Sequence, residues 1–208
     1  MTARGRFITF EGGEGAGKST QVRMLASRLK TAGRWIITTR EPGGSPGAEA
    51  IRKLLVEGAT DRWEPLAETL LFLAARSDHV ASAIEPALAA GDWVICDRFS
   101  DSTLVYQGIG RGLGVERVRA LQQLTVTLTP DLTIVLDIDP REGLARTHRR
   151  STSEDRFEKF DTGFHLRLRE AFLGIASAEP HRCVVVDSTQ PPDIVADEIW
   201  QIVESRFR

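Results

Sequence analysis

The chain has 208 residues, a formal charge of −2 (27 Lys+Arg against 29 Asp+Glu) and 41% hydrophobic residues, which describes one α/β-sized domain over 1–208 and excludes a disordered chain. The charge balance leaves no basic surplus for a nucleic-acid partner, and no run of about 18 apolar residues marks a membrane span. The first short apolar stretch turns straight into a glycine-rich loop, unlike a secretory leader, and Cys96 and Cys183 are too few for a disulfide framework, so a reducing cytoplasm is expected.

Strand-like apolar runs lie at 6–10, 34–39, 93–97, 132–138 and 182–187. Their near-continuous hydrophobicity fits parallel strands covered on both faces. Amphipathic helical patterns fall at 18–31, 46–57, 64–90, 115–127, 140–149, 156–178 and 191–206. This alternation predicts a five-stranded parallel sheet wrapped by helices on both faces. In such sheets ligands bind at the carboxyl ends of the strands. Gly33 reads as a helix stop, and Asp139 before Pro140 as a helix cap rather than a metal ligand.

After the first strand comes Gly12-Gly13-Glu14-Gly15-Ala16-Gly17-Lys18-Ser19, followed by Thr20. It matches G-x-x-x-x-G-K-[ST] between a strand and a helix, the P-loop NTPase arrangement. The glycines let several N–H groups point into one concavity, and the helix N-terminus adds partial positive charge. Lys18 would reach the β- and γ-phosphates of ATP, and the Ser19 hydroxyl would ligate Mg²⁺. The chain contains no asparagine and no D-x-x-G, which argues against a guanine-nucleotide switch. A partition-type or motor ATPase stays open, because Asp97 or Asp137 could sit beside the metal. Arginine supplies 23 of the 27 basic residues. Coding-sequence bias accounts for such an excess, and so does phosphate recognition by guanidinium forks.

Several segments together resemble the bacterial type of thymidylate kinase: FEGGEGAGKST at 10–20, TREPGGSPGAEAIRKLL at 39–55, FLAAR at 72–76, DRFSDSTLVYQGIGRG at 97–112, TPDLTIVLDIDP at 129–140 and an Arg-rich stretch at 146–156. The resemblance spans nearly the whole chain and implies a nucleoside monophosphate kinase-like fold, phosphoryl transfer from Mg²⁺-ATP to dTMP, and a homodimer. Two anionic substrates must be brought together, and arginine answers that repulsion.

The resemblance places Arg98 and Arg52 on the acceptor phosphate, with Asp97 holding Arg98 or metal-bound water. It places Glu41 near the sugar phosphate and Glu14 facing the sugar. It also implies thymine contacts from Phe72, Arg76, Thr103 and Gln107, and Tyr106 under the deoxyribose. Read without it, Phe72 is a core residue in Leu70-Leu71-Phe72-Leu73, Tyr106 is a core tyrosine, Arg52 is a solvated helix charge, and Asp97 is a strand-end partner of Arg98. Arg40 would organise the loop after the second strand.

The P-loop carries Gly15 where some members of the family carry arginine, so the transition-state charge would be met from a lid at about 146–156. Arg146, Arg149, Arg150 and Arg156 are its basic residues, with Arg150 favoured. His148 and His165 lack metal-ligand spacing. Gly108–Gly114 reads as a loop between helices. The alternatives that remain are a deoxynucleoside kinase, in which Glu41 would be a general base, and the partition-type ATPase.

Overall fold

A computed structural model describes residues 4–147 and 155–208 of the protein. Strands β1 (Phe7–Glu11), β2 (Ile36–Arg40), β3 (Trp93–Asp97), β4 (Leu132–Asp137) and β5 (Cys183–Asp187) pair in parallel in the order β2-β3-β1-β4-β5. The described helices are α1 (Lys18–Thr31), α2 (Pro46–Val56), α3 (Pro65–His79), α4 (Glu85–Ala90), α5 (Ser100–Thr103), α6 (Val115–Thr125), α7 (Pro140–Thr147), α8 (Thr162–Ala178) and α9 (Pro192–Phe207).

Side chains on a strand alternate between faces, and here both faces of the central strands are covered. Ile8, Phe10, Ile95, Ile134 and Leu136 meet Val22 and Leu25 of α1 and Ile199 and Val203 of α9. On the opposite face Phe7, Val94 and Cys96 pack against Ile84 and Leu88. Val135 packs there against Val105 and against Phe164, Leu168 and Phe172 of α8. That two-sided burial is why β1, β3 and β4 read as continuous apolar runs. The edge strand β2 departs from the expectation, with Ile37 and the preceding Trp35 exposed.

The expected helix at 64–90 is split. A wide π-helical turn, Val80–Ile84, separates α3 from α4. Pro86 lacks an N–H and is tolerated only in a first helical turn, where the new start at Glu85 places it. The expected helix at 156–178 begins only at Thr162, because the Asp161 carboxylate accepts from Phe164 N at 2.7 Å and caps it. The segment after Arg98 is helical: α5 runs into a π-helical stretch, Leu104–Gly110. Gly108 and Gly110 therefore belong to that stretch and not to a loop, which runs from Arg111 to Gly114. Asp139 caps α7 through Arg141 N at 2.8 Å.

Parallel pairing brings the carboxyl ends of the strands to one edge. Register sets Asp97 beside both Phe10 and Arg40, and sets Glu11 beside Val135. The loop after β1 therefore emerges between the ends of β3 and β4.

Candidate active site

The P-loop closes tightly on β4 and α7. Gly15 has φ +69°, and a Cβ there would lie 1.9 Å from the Gly143 carbonyl oxygen. Gly12 has φ +127°, and a Cβ there would lie 2.4 Å from Leu136 O. An arginine at position 15 has no room in this packing, so the missing P-loop arginine has a steric reason. Lys18 Nζ donates to Gly12 O at 3.1 Å and Gly13 O at 2.6 Å. Burial and the neighbouring Arg98 lower its pKa to about 8, against the opposing pull of Glu14 and Asp97.

Ser19 Oγ donates to Asp97 Oδ2 at 2.7 Å, so the hydroxyl and the carboxylate expected at the metal are adjacent. Hard oxygen donors of this kind suit Mg²⁺, which takes one or two protein ligands and completes its shell with phosphate oxygens and water. Among the described residues no group of three His, Cys, Asp or Glu could hold an ion alone. Asp137, the other strand-end carboxylate, is held in a fork by Arg169 at 2.7 and 2.8 Å. That leaves Asp97 as the strand-end carboxylate beside Ser19.

Arg98 is at the centre of the site. Its φ of +69° is unusual for a residue with a side chain. Neighbouring backbone holds it there. Arg98 N donates to Phe10 O, and the Phe99 and Ser102 N–H groups donate to Glu11 Oε1. Glu11 is fully buried, and burial together with nearby Asp101 pushes its carboxyl up to about 7. The Arg98 guanidinium donates to Gly12 O at 3.0 Å, Ser102 Oγ at 3.2 Å and Glu14 Oε1 at 2.9 Å, and lies over the Tyr106 ring. The Tyr106 hydroxyl donates to the same Glu14 oxygen at 2.8 Å. Burial alone would raise the Glu14 pKa, but Arg98, Lys18 and the Tyr106 hydroxyl bring it down to about 2.

A cavity of about 120 Å³ opens beside this cluster. It is lined by Glu14, Glu41, Arg52, Phe72, Arg76, Arg98, Thr103, Tyr106 and Gln107, together with Phe157 and Glu158. Every side chain expected at an acceptor nucleotide is thus gathered around one space. The fully buried Arg76 donates to Glu41 Oε2 at 2.7 Å, and to Phe99 O and Thr103 Oγ1, both at 2.9 Å. Its Nη1 has no hydrogen-bond partner among the described residues. A buried guanidinium nitrogen left unmatched is costly unless a ligand supplies the acceptor.

Glu41 follows β2. Its other oxygen accepts from His79 Nδ1 at 3.1 Å, and His79 Nε2 meets Thr39 Oγ1 at 2.7 Å. Both Glu41 oxygens are therefore engaged, and Glu41 acts on the cavity by orienting Arg76. The Phe72 and Phe157 rings lie tilted at 55° to each other with centroids 6.1 Å apart. Arg52 reaches the Pro42 carbonyl at 2.5 Å. Arg40 pairs with Glu49, which accepts from Gly44 N, so Arg40 does brace the loop after β2.

The phosphate groove formed by Lys18, Ser19 and Asp97 shares Glu14, Glu41, Arg52 and Arg98 with the acceptor cavity. On its far side it shares Gly15, Gly17 and Thr20 with a cleft lined by Arg146 and Ser188–Pro192. The three spaces adjoin one another through these shared residues. Arg146 donates to Ser188 O at 3.2 Å across the end of that cleft.

The chain is matched over residues 10–199 by the family model described as Thymidylate kinase. This chain belongs to the thymidylate kinase family. It is 56% identical to a thymidylate kinase of Rhodopseudomonas palustris over 98% of its own length and 90% of that relative. It is 52% identical to one of Magnetococcus marinus over 98% of both chains. A crystal structure of thymidylate kinase from Ehrlichia chaffeensis superposes with a TM-score of 0.79 at 33% identity, covering 96% of this chain and 99% of that one. The fold is accordingly that of the P-loop nucleoside monophosphate kinases, and the thymidylate kinase reading stands over the deoxynucleoside kinase and partition ATPase alternatives.

Of the basic residues expected in the lid, Arg149 and Arg150 lie outside the described residues, as does His148. Arg156 is corrected. It is fully buried, donating to Leu55 O, Ala59 O and Thr60 O and to Glu68 Oε2 at 2.5 Å, so it braces the end of α2 and is not presented to phosphate. Sequence reasoning missed Glu11, Glu68, His79, Phe157 and the 188–192 loop. For Glu68 a signal existed: Glu68, Phe72 and Arg76 recur at i, i+4 and i+8, one face of α3. The 188–192 loop carried no motif.

Proposed function

We propose that this thymidylate kinase family member transfers the γ-phosphoryl of Mg²⁺-ATP to dTMP, giving dTDP and ADP. The observation that carries the reading is the pair Arg52 and Arg98, lining both the phosphate groove and the acceptor cavity. They sit where an acceptor phosphate must approach the ATP tail, and guanidinium forks offset that repulsion. The nucleophile is already a phosphate oxygen, so no general base is required. Glu41, the group a hydroxyl acceptor would need as base, is committed to Arg76 and His79.

In this reading Lys18 holds the β- and γ-phosphates and the P-loop N–H groups of residues 12–20 cradle the tail. Ser19 and Asp97 take Mg²⁺ directly or through water, and Arg146 and the 188–192 loop take the adenine. Phe72 supplies a stacking face for thymine, and Arg76, Thr103 and Gln107 its polar contacts. Tyr106, pinned by Glu14, packs where a 2′-hydroxyl would lie. The working form is a cytoplasmic homodimer. Leu66 and Leu70 of α3, exposed at 41% and 47%, and Leu124 of α6, exposed at 83%, supply apolar surface for it.

The test is a coupled ADP-release assay with ATP, Mg²⁺ and a panel of nucleosides and monophosphates, run beside light scattering for the oligomeric state. dTMP-dependent ADP release is expected. Release with thymidine instead of dTMP, or release with no acceptor, overturns the reading. Arg150→Ala is expected to lower turnover without weakening dTMP binding.

A further inference from the structure

Glu68 is fully buried on α3 and lies behind the acceptor cavity rather than in its lining. Its two oxygens are divided between partners. Oε1 accepts from Gln107 Nε2 at 2.9 Å and lies 3.6 Å from Arg111 Nε; Oε2 accepts from Arg156 Nη2 at 2.5 Å. Gln107 is itself buried and lines the cavity.

An amide can present its NH₂ or its oxygen, and at a pocket wall the two orientations read opposite chemistry. A carboxylate flanked by two guanidinium groups only accepts hydrogen bonds. The flipped Gln107 would set its oxygen against a Glu68 oxygen and lose a bond in a buried place. The amide therefore keeps its NH₂ on Glu68 and its oxygen for the cavity. Arg76, which lines the same cavity, carries in Nη1 a donor with no hydrogen-bond partner among the described residues. The cavity wall thus offers one donor and one acceptor.

Thymine carries the complement, an acceptor O4 beside a donor N3–H. Cytosine carries the reverse, a donor amino group beside an acceptor N3. A wall of fixed polarity accepts the first and leaves groups of the second unpaired. We infer that Glu68 is a specificity-determining positioning residue: by holding the Gln107 amide in one orientation, it makes the acceptor cavity select a thymine-type edge over a cytosine-type edge. The inference rests on the dTMP reading above.

The experiment measures kcat/KM for dTMP and dCMP with the full chain. For Glu68→Gln, whose own amide can donate or accept, the dTMP/dCMP ratio is expected to fall at least ~10-fold, through a higher KM for dTMP. In a Gln107→Leu background, Glu68→Gln is expected to change the ratio no further. A purely structural role, support of Arg156, would lower stability in both backgrounds and leave the ratio alone. An unchanged ratio in Glu68→Gln, or an equal fall with and without Gln107, overturns the inference. If Glu68→Gln does not fold, Glu68→Asp keeps a charge for Arg156 and is judged by the same two readings. Wild-type protein that fails to phosphorylate dTMP overturns the underlying reading instead, so the two failures are told apart.

Discussion

The phosphate groove and the acceptor cavity sit side by side at one sheet edge, but they are built from different material. The groove is centred on one continuous loop, residues 12–20, with Lys18 resting on the loop's own carbonyls, and is flanked by Arg40, Asp97 and Arg98. The cavity is a lattice of side chains from the P-loop, the β2 and β3 ends, α2, α3, the Ser100–Gly110 helical stretch and the segment before α8. Two of its guanidinium groups are set by carboxylates, Arg98 by Glu14 and Arg76 by Glu41, and behind it Arg156 is set by Glu68. Backbone N–H groups suit any nucleotide tail, because all tails carry the same phosphates. A particular base and sugar require groups fixed to within tenths of an ångström, and interlocked ion pairs hold them so.

If the two regions are separable, Arg98→Ala should produce the largest and most one-sided effect. Turnover with dTMP should fall by ~10²–10³-fold, with ATP affinity by titration close to wild type. A parallel collapse of ATP affinity would show that groove and cavity are one unit.

The next effect is on stability. Arg156→Ala leaves Glu68 buried with its strongest ion-pair partner removed, and should destabilise the fold by about 3–5 kcal/mol. Arg146→Ala, which loses one bond at the cleft edge, should change stability little. Urea melts of the two variants check this. Equal losses would erase the distinction between a braced cavity and an open groove.

Two carboxylates give a pH signature of opposite sign. Glu11, pushed up to about 7 by burial, binds its proton more tightly folded than unfolded. Its contribution to stability is complete below about 4.5 and is lost as pH rises through about 7. Glu14, brought down to about 2 despite its burial, contributes stability above about 4.5 that is lost as pH falls toward 2. Melts across pH should show Glu11→Gln removing the first slope and Glu14→Gln the second. A Glu11→Gln profile that still falls between 4.5 and 7 would place the buried proton elsewhere.

The smallest effect is expected at Tyr106. Tyr106→Phe loses its hydrogen bond to Glu14, about 1 kcal/mol, and should raise the KM for dTMP several-fold. Tyr106→Ala, which removes the ring, should reduce the preference for dUMP over UMP. An unaltered preference would deny the ring its steric role.

Much of this was legible in the residues. The P-loop is a local device, and its glycines, Lys18 and Ser19 are contiguous, so spacing alone located the groove. β1, β3 and β4 were readable because burial on both faces makes them continuously apolar, whereas the edge strands β2 and β5 are covered only in part. The helix boundaries that slipped did so where a local cap or proline overrode periodicity, at Asp161 and Pro86. The acceptor residues were nameable by resemblance, but Phe72 and Tyr106 by themselves read as core, because apolarity does not say whether a neighbour is protein or ligand.

What the chain by itself determined is an α/β sheet with a P-loop and arginines expected beside a second anion. Only the tertiary structure decided what those arginines do. It placed Arg98 between the groove and the cavity, left Arg76 Nη1 without a partner among the described residues and buried Arg156 against Glu68. A guanidinium's task depends on which carboxylate or carbonyl lies within 3 Å of it. Those partners are distant in sequence: 84 positions separate Arg98 from Glu14, 35 separate Arg76 from Glu41, and 88 separate Arg156 from Glu68. The 23 arginines look alike along the chain and differ only in what the fold sets against them.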